Sequence, residues 1–470
     1  MRAPPERVLV IAHGHPDFAL GGGELAARRE FETLRAHPEV EAAWLLARAD
    51  LGRGATGDIT LRRDGEYLWE QGIRDWHLLR GANPAATATR FVEFVQSLAP
   101  TVVHVHHVVH LGMEMLRELR RALPAARIVM TLHEFMPICQ NDGQMIRRGS
   151  HALCESASPQ DCHRCFPIHS PEDFWLRRRF MLGHFEAVDA FVAPSRFLRE
   201  RYVAWGLAPE RICVIENGQP DEPPAPPRPL REGESRRRFG FFGQVNQYKG
   251  LDLLLEALHR LEPAARARLA LEVNCANLEL QSAPLRERIE ALAEPLVEQG
   301  IVVWRGPYRQ SELRRRMSAV DWVLVPSIWW ENSPLVIQEA FRCGRPVVCS
   351  DIGGMAEKVR HDVDGLHVPV GDVTAWGSTL SGLADDPATW ERLRAGIHRP
   401  LTDAEAGARH LALFRSLAGS RRMRLASARP MVDEAALDAP LPPARQAAAC
   451  VPVRLVDARE LAARQGGPCN

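Results

Sequence analysis

The chain has 470 residues, 46% apolar and 25% charged; this is the make-up of a soluble globular protein too long for one core, so two domains and a tail are expected. Its 59 Lys and Arg balance 59 Asp and Glu, which excludes a net field drawing it to nucleic acid or anionic lipid. No stretch approaches the roughly 20 apolar residues that span a bilayer, and the run at 8–12 is too short for a secretory core. The expected location is the cytoplasm, with peripheral contact at the inner face of the membrane left open.

Residues 7–12 (RVLVIA) form an apolar run of the kind that fills a buried parallel strand. Gly21, Gly22 and Gly23 follow, then a helical stretch over 24–37. A glycine-rich turn between strand and helix lets the backbone approach a phosphate, although many such turns only reverse the chain. Strands are expected at 42–47, 102–109, 128–132 and 190–193, with a helix over 91–98. Alternation of this kind predicts a parallel sheet covered on both faces. His104, His106, His107 and His110 crowd one strand and the turn after it. Pleating puts His104 and His106 on one face and His107 on the other, so they read as core and cleft-lining histidines, not one ligand set.

A polar insert over 137–171 carries Cys139, Cys154, Cys162 and Cys165. In a reducing compartment the ten cysteines read as buried thiols, metal ligands or redox groups, not a disulfide framework. Cys162-x-x-Cys165 has the spacing of a metal knuckle, and Cys139 and Cys154 would complete a tetrahedral thiolate set, so a structural zinc is one reading. Four reduced thiols in a loop is the other. Arg177, Arg178 and Arg179, taken together, read as a solvated helix face.

Residues 219–235 (QPDEPPAPPRPLREGES) are expected as an extended linker and hinge. The alternation then restarts, with strands at 239–242, 269–273, 301–304, 323–326 and 346–350 and a helix over 250–261. Beyond 419 the chain turns to Ala, Pro and Arg with little periodicity and reads as a disordered tail. The organisation is thus an α/β domain (1–218), a linker (219–235), a second α/β domain (236–419) and a tail (420–470). Ligands of open parallel sheets bind in the cleft between such halves.

Ser333-Pro334 reads as a helix start, with Ser as the cap and Pro at the first helical position of a helix over 335–342. Its free N–H groups and positive dipole end suit a phosphate or hydroxyl oxygen. Glu331 precedes the cap and Glu339 lies inside the helix. On one continuous helix eight residues would span ~12 Å. A loop before the helix instead lets the two carboxylates take opposite ends of one ligand, and carboxylates suit vicinal diols. Taken alone, the two glutamates would be ordinary surface acids.

The stretch SIWWENSPLVIQEAFRCGRPVVCSDIGGMAEKVRHDVDGLHVPVGD (327–372) resembles the signature block of the retaining glycosyltransferase family 4. Members of that family set two Rossmann-like domains across a cleft, the GT-B arrangement. FFGQVNQYKGLDLLLEAL (241–258) resembles their phosphate-binding strand–loop–helix, VIENG (214–218) the entry to their linker, and TLHEF (131–135) and the early GGG their first-domain motifs. The resemblance implies transfer of a sugar from a nucleotide-diphosphate sugar, in polysaccharide or glycoconjugate synthesis. It places Glu331 on the sugar hydroxyls, Glu339 on the ribose and Lys249 on the diphosphate. Asn332, Ser333 and the N–H groups of Leu335 and Val336 would meet sugar or phosphate oxygens, Gly22 and Gly23 a phosphate, and His133 the reacting carbon.

Where the family usually carries Arg, five residues before its Lys, this chain has Gln244. Charge on the diphosphate is then weaker or comes from elsewhere, with Arg305 as one substitute. Gln244 also keeps open a non-catalytic GT-B binding subunit, and an epimerase sharing the donor site remains a further alternative. Asp362-x-Asp364 looks like a metal-binding Asp-x-Asp but aligns with a turn in the resembled family, so no cofactor is expected for catalysis. The expected partners are the nucleotide-sugar and an unidentified sugar, lipid-linked or small-molecule acceptor.

Overall fold

The computed structural model describes residues 5–19, 21–50 and 54–424, with side chains to 418. From residue 425 the expected tail lies outside the described residues. The first sheet has eight strands: β1 (Glu6–Ala12), β2 (Val40–Ala49), β3 (Ile59–Arg63), β4 (Glu66–Glu70), β5 (Val102–His106), β6 (Arg127–Thr131), β7 (Ala190–Ala193) and β8 (Ile212–Val214). Their order is β8-β7-β6-β5-β1-β2-β4-β3. Neighbours run parallel except β3 and β4, a hairpin turning at Asp64-Gly65, where Gly65 has φ +75. β1 and β5 are buried on both faces; β1 accordingly runs apolar from Val8 to Ala12 without alternating, while β5 carries His104 and His106 on one buried face. Helix α1 (Gly22–Ala36) lays Ala27, Phe31 and Leu34 on this sheet, and α2 (Arg196–Ala204), capped by Ser195, follows β7.

The second sheet is parallel throughout: β9 (Arg238–Gln244), β10 (Ala270–Ala276), β11 (Val302–Trp304), β12 (Trp322–Val325), β13 (Val347–Ser350) and β14 (Gly365–Val368), in the order β11-β10-β9-β12-β13-β14. β9 alternates. Phe239 and Phe241 enter a core with Leu254 and Leu258 of α3 (Leu251–Arg260) and with Trp322, Trp376 and Trp390. Phe242 points to the opposite core, with Ile337, Ala340 and Phe341 of α4 (Leu335–Arg342). Helix α5 (Gly353–Lys358) follows β13.

The chain crosses between the sheets twice, and the crossings lie side by side. The Gln219 N–H donates to the Leu401 carbonyl at 2.8 Å, and the Asp403 N–H donates to the Gln219 carbonyl at 2.9 Å. Residues 220–235 form no helix or strand, but they are not loose: Arg228 donates to the buried Asp321 at 2.9 Å and Arg236 at 3.2 Å. The last helix, α6 (Asp403–Arg424), overruns the boundary read at 419 and packs Leu411 and Phe414 against β1 and α1, on the first sheet. Its apolar residues three apart cover a face that α1 leaves open.

Candidate active site

The loops leaving β1 and β6 meet the loop leaving β12. That last loop, between Val325 and Leu335, is held on both sides by close backbone approach. On one side the Ile328 N–H donates to the Tyr248 carbonyl at 2.8 Å, and the Tyr248 and Trp329 rings stack at 5.6 Å. Gly250 caps α3 at φ +70, and a Cβ there would sit 2.2 Å from the Pro326 carbonyl oxygen. On the other side the Gly354 N–H donates to the Glu331 carbonyl at 2.7 Å, and a Cβ on Gly354 would stand 2.0 Å from the Asn332 carbonyl oxygen. Glycine at these two places lets the loop pass.

So held, Glu331 is buried, and three donors converge on its Oε1: Lys249 Nζ at 2.5 Å, Ser327 Oγ at 2.8 Å and Trp329 Nε1 at 2.8 Å. Burial raises its carboxyl pKa, but the Lys249 charge and the three hydrogen bonds outweigh that and hold it below the usual carboxylate range. Glu339 is also buried, and its Oε1 accepts from Gln310 Nε2 at 3.0 Å.

The helix start corrects one expectation. Pro334, in extended conformation (ψ 116), is the cap residue of α4, and no side chain caps the helix. The Ser333 Oγ is buried without a partner, as is the Asn332 Oδ1. The helix end is thus left with its N–H groups unsatisfied by a side chain. The Asn332 amide reaches across to the first half, donating to the His133 carbonyl at 2.8 Å. Gly22 faces Leu335, whose Cδ1 would lie 3.4 Å from a Cβ at that glycine, and Gly23 faces the His13 and His133 rings. Glu331, Lys249, Asn332, Ser333, Leu335, Gly22, Gly23 and His133 are therefore neighbours.

The α1 N-terminus is occupied from within. Glu24 turns back to it, so that a Cβ on Gly21 would meet Glu24 Oε2 at 2.2 Å and one on Gly14 would meet Oε1 at 2.9 Å. His13 Nε2 lies 3.2 Å from that Oε1. Burial pushes the His13 imidazole down, but Glu24 more than reverses this and raises it to about 9; Glu24 in turn falls below the usual carboxylate range. The pair is ionised at neutral pH.

Behind His133 runs a buried chain. His133 Nε2 lies 3.0 Å from His106 Nδ1, His106 Nε2 lies 2.8 Å from Glu30 Oε2, and His104 Nδ1 lies 2.5 Å from Glu30 Oε1. Burial alone would protonate Glu30, yet His104, His410 and His106 hold it well below its ordinary range. An anionic Glu30 requires the hydrogen of His106 on Nε2, so Nδ1 accepts from the Nε2–H of His133. The His133 imidazole is neutral, pushed well below its ordinary range by burial and by the neighbouring His106. His107 lies past the end of β5, at φ +66, with Nδ1 3.3 Å from Glu134; the strand expected over 102–109 ends at His106, so its pleat does not set the direction of His107.

Other residues fall elsewhere. Arg305 pairs with Glu272 at 3.0 Å and is committed there, against its reading as a diphosphate cation. Gln244 ends β9 and is exposed. Asp364 accepts from the Arg360 backbone and side chain at 2.8 and 2.7 Å, and Asp362 pairs with Arg392 at 2.7 Å, so the Asp-x-Asp is a salt-bridged turn. Arg177 is buried, not on a solvated face. Cys139, Cys154, Cys162 and Cys165 line one cavity.

The sequence reading missed Glu30, His13, Glu24, Ser327 and Trp329. The last two flank Glu331 within four residues and carried a local signal. Glu30 sits mid-helix and meets His104 and His106 from sequence separations of 74 and 76, for which one sequence holds no signal.

Two sequence profiles match the chain. The one described as Glycosyltransferase Family 4 covers residues 59–222, and the one described as Glycosyl transferases group 1 covers residues 236–386. D-inositol 3-phosphate glycosyltransferase 1 of Catenulispora acidiphila is 32% identical over 49% of this chain and 58% of its own length. A D-inositol 3-phosphate glycosyltransferase of Xylanimonas cellulosilytica is 33% identical over 45% of this chain and 52% of its own. The chain thus spans little more than half the length of these relatives. In fold it is similar to Anabaena HepE, crystallised with UDP and glucose (TM-score 0.55, 17% identity, 90% of this chain and 100% of that one). It is similar also to the sucrose-phosphate synthase of Thermosynechococcus elongatus (TM-score 0.57, 18% identity, 90% and 100%).

Proposed function

We propose, from the premise that the chain belongs to glycosyltransferase family 4, that it moves a sugar from a nucleotide-diphosphate sugar to an acceptor hydroxyl with retention at the anomeric carbon. The observation that carries this reading is the meeting of Lys249, Glu331 and the uncapped start of α4 with Gly22 and His133 across the cleft. Glu331 Oε2, the carboxylate oxygen outside the three contacts on Oε1, accepts from the sugar hydroxyls. Glu339 accepts from the ribose. Lys249 and the N–H groups of Leu335 and Val336 stabilise charge on the diphosphate as it leaves.

In the transfer the bond from the anomeric carbon to the diphosphate breaks, and its electron pair leaves with the nucleotide. A bond to the acceptor oxygen forms on the same face, and the acceptor proton passes to a departing phosphate oxygen. Catalysis rests on positioning and preset electrostatics, with closure over the 219–235 hinge. The chemical step uses no cofactor, in keeping with the family.

The structural neighbours crystallised with UDP and UDP-glucose make uridine donors the first to test, and the inositol-phosphate names of the relatives make a phosphorylated polyol the first acceptor. Lipid-linked and other sugar acceptors follow. No helix among the described residues is long and apolar enough to cross a membrane. We place the activity in the cytoplasm or at the inner membrane face, where nucleotide sugars are supplied. The test is nucleotide release from a panel of donors. Turnover by the parent chain that disappears in Glu331→Ala and Lys249→Ala supports transfer. Background release alone in all three chains leaves the non-catalytic subunit as the better reading.

A further inference from the structure

The insert after β6 buries Ile138, Met145 and Ile146 but forms little regular structure. Between Cys139 and Cys165 its regular structure is one bridge, Ile146 to Leu153, and the short helix Pro159–Cys165, none of whose residues is buried. What its parts share is sulfur. Cys139 follows the turn after Phe135, Cys154 lies just past the bridge, and Cys162 and Cys165 sit three apart on one helix face. All four are free thiols lining a single cavity.

A buried cation stands beside them. Arg177, 2% exposed, donates through its guanidinium to the carbonyls of Met136 (2.7 Å) and Pro137, just ahead of Cys139 in the chain. Four thiolates around a divalent zinc carry a net charge of two minus, which would sit close to this buried guanidinium.

We infer that Cys139, Cys154, Cys162 and Cys165 bind one zinc ion as a closed tetrahedral thiolate site that ties the insert to the donor loop. Four thiol protons leave to solvent as the four zinc–sulfur bonds form. Among the described residues, the group whose ligand atoms all lie within 4.8 Å of one another is Glu30, His104 and His106, and those are already joined as a hydrogen-bonded network. No three of the four sulfurs lie within 4.8 Å of one another, so zinc would have to draw them in to the roughly 3.8 Å edges of a tetrahedron with zinc–sulfur bonds of about 2.3 Å. The tie to the loop runs through Cys154, whose carbonyl accepts from Trp330 Nε1 at 3.1 Å. Arg201 stacks 4.7 Å from the Trp330 ring centroid and donates to the Glu155 carbonyl, closing the contact. This inference goes beyond the transferase reading and stands whether or not that reading does.

The test is metal analysis of the full chain purified under reducing conditions, with cobalt exchange and hydrogen exchange. Equimolar zinc is expected, with X-ray absorption giving sulfur neighbours at about 2.3 Å. Cobalt in place of zinc should show the intense visible bands of a tetrahedral thiolate site. Cys162→Ser should lose the metal while Cys213→Ser, outside the cavity, keeps it. Stripping the zinc should raise hydrogen exchange in both 137–171 and 327–332. Because Cys162→Ser can misfold, cobalt exchange on the parent chain decides independently. Absence of zinc and of the cobalt bands, an iron–sulfur chromophore, or a disulfide among the four cysteines overturns the inference. So does protection at 327–332 that does not change when zinc leaves.

Discussion

Lys249 Nζ stands 2.5 Å from Glu331 Oε1, so the cation assigned to the diphosphate and the carboxylate assigned to the sugar are bonded to each other. They act as one unit: Glu331 aims the ammonium, and Lys249 keeps a buried carboxylate ionised. Each single substitution then removes two functions. Lys249→Ala and Glu331→Ala are expected each to lower donor turnover by about 100-fold or more, and the double variant to lose little beyond either single one. Losses that multiply in the double variant would show two independent roles. Steady-state nucleotide release on the three variants measures this.

Glu30 sets His133 from a distance through His106. Glu30→Gln leaves His106 free to turn and no longer fixes which nitrogen of His133 carries the hydrogen. An approximately 10-fold or greater fall in turnover is expected, with the KM for the donor nearly unchanged and the pH–rate profile shifted. A loss of folding stability with an unaltered pH profile would reduce Glu30 to a packing role. Thermal melts recorded beside the kinetics separate the two.

The His13–Glu24 pair gives a pH signature. The folded pKa of His13, about 9, lies above its ordinary 6.5, so the pair stabilises fully below pH 6.5 and its contribution fades as pH rises through about 9. The difference in melting temperature between the parent chain and His13→Ala should therefore be largest at and just below pH 6.5 and shrink steadily toward pH 9. A difference that stays constant across that range would mean that His13 contributes as a neutral ring.

Gly354→Ala tests how tightly the donor loop is gripped. The added methyl would meet the Asn332 carbonyl at 2.0 Å and the Glu331 carbonyl at 2.8 Å, so the loop or α5 must move. A stability loss of about 1–3 kcal/mol is expected, with nucleotide affinity falling alongside it. Gly371→Ala, with φ +72 but open space around it, carries the backbone strain without the collision and should leave affinity intact. Denaturant melts and nucleotide titration of both variants check this.

Most strands were legible because parallel, doubly buried strands leave continuous apolar runs. β3 and β4 were not, although Asp64-Gly65 is a hairpin signal. Arg62 and Arg63 are charged because β3 is an exposed edge, and Glu66 on β4 is a buried charge held by His15 and Arg63, so the apolar alternation that normally marks a hairpin is missing. At the site, the donor loop could be read locally, since its residues lie within ten positions of one another. The reading of Ser333 as a cap came from residue preference and failed at Pro334, whose extended backbone starts the helix one residue later. Glu30 and Arg177 could not be read. Each is a charge buried by partners from distant segments, and in sequence each looks like a solvated helix face.

The return of α6 to the first sheet has a consequence for synthesis. Leu411 and Phe414 close a face of the core built on β1 and α1, yet they are made almost four hundred residues later. The amino-terminal half emerges from the ribosome with that face bare and cannot finish folding until the last helix arrives. Cutting the chain within the linker therefore does not yield two complete halves. A permuted chain that begins at residue 403 and runs on into residue 5 would join the first half to its own final helix.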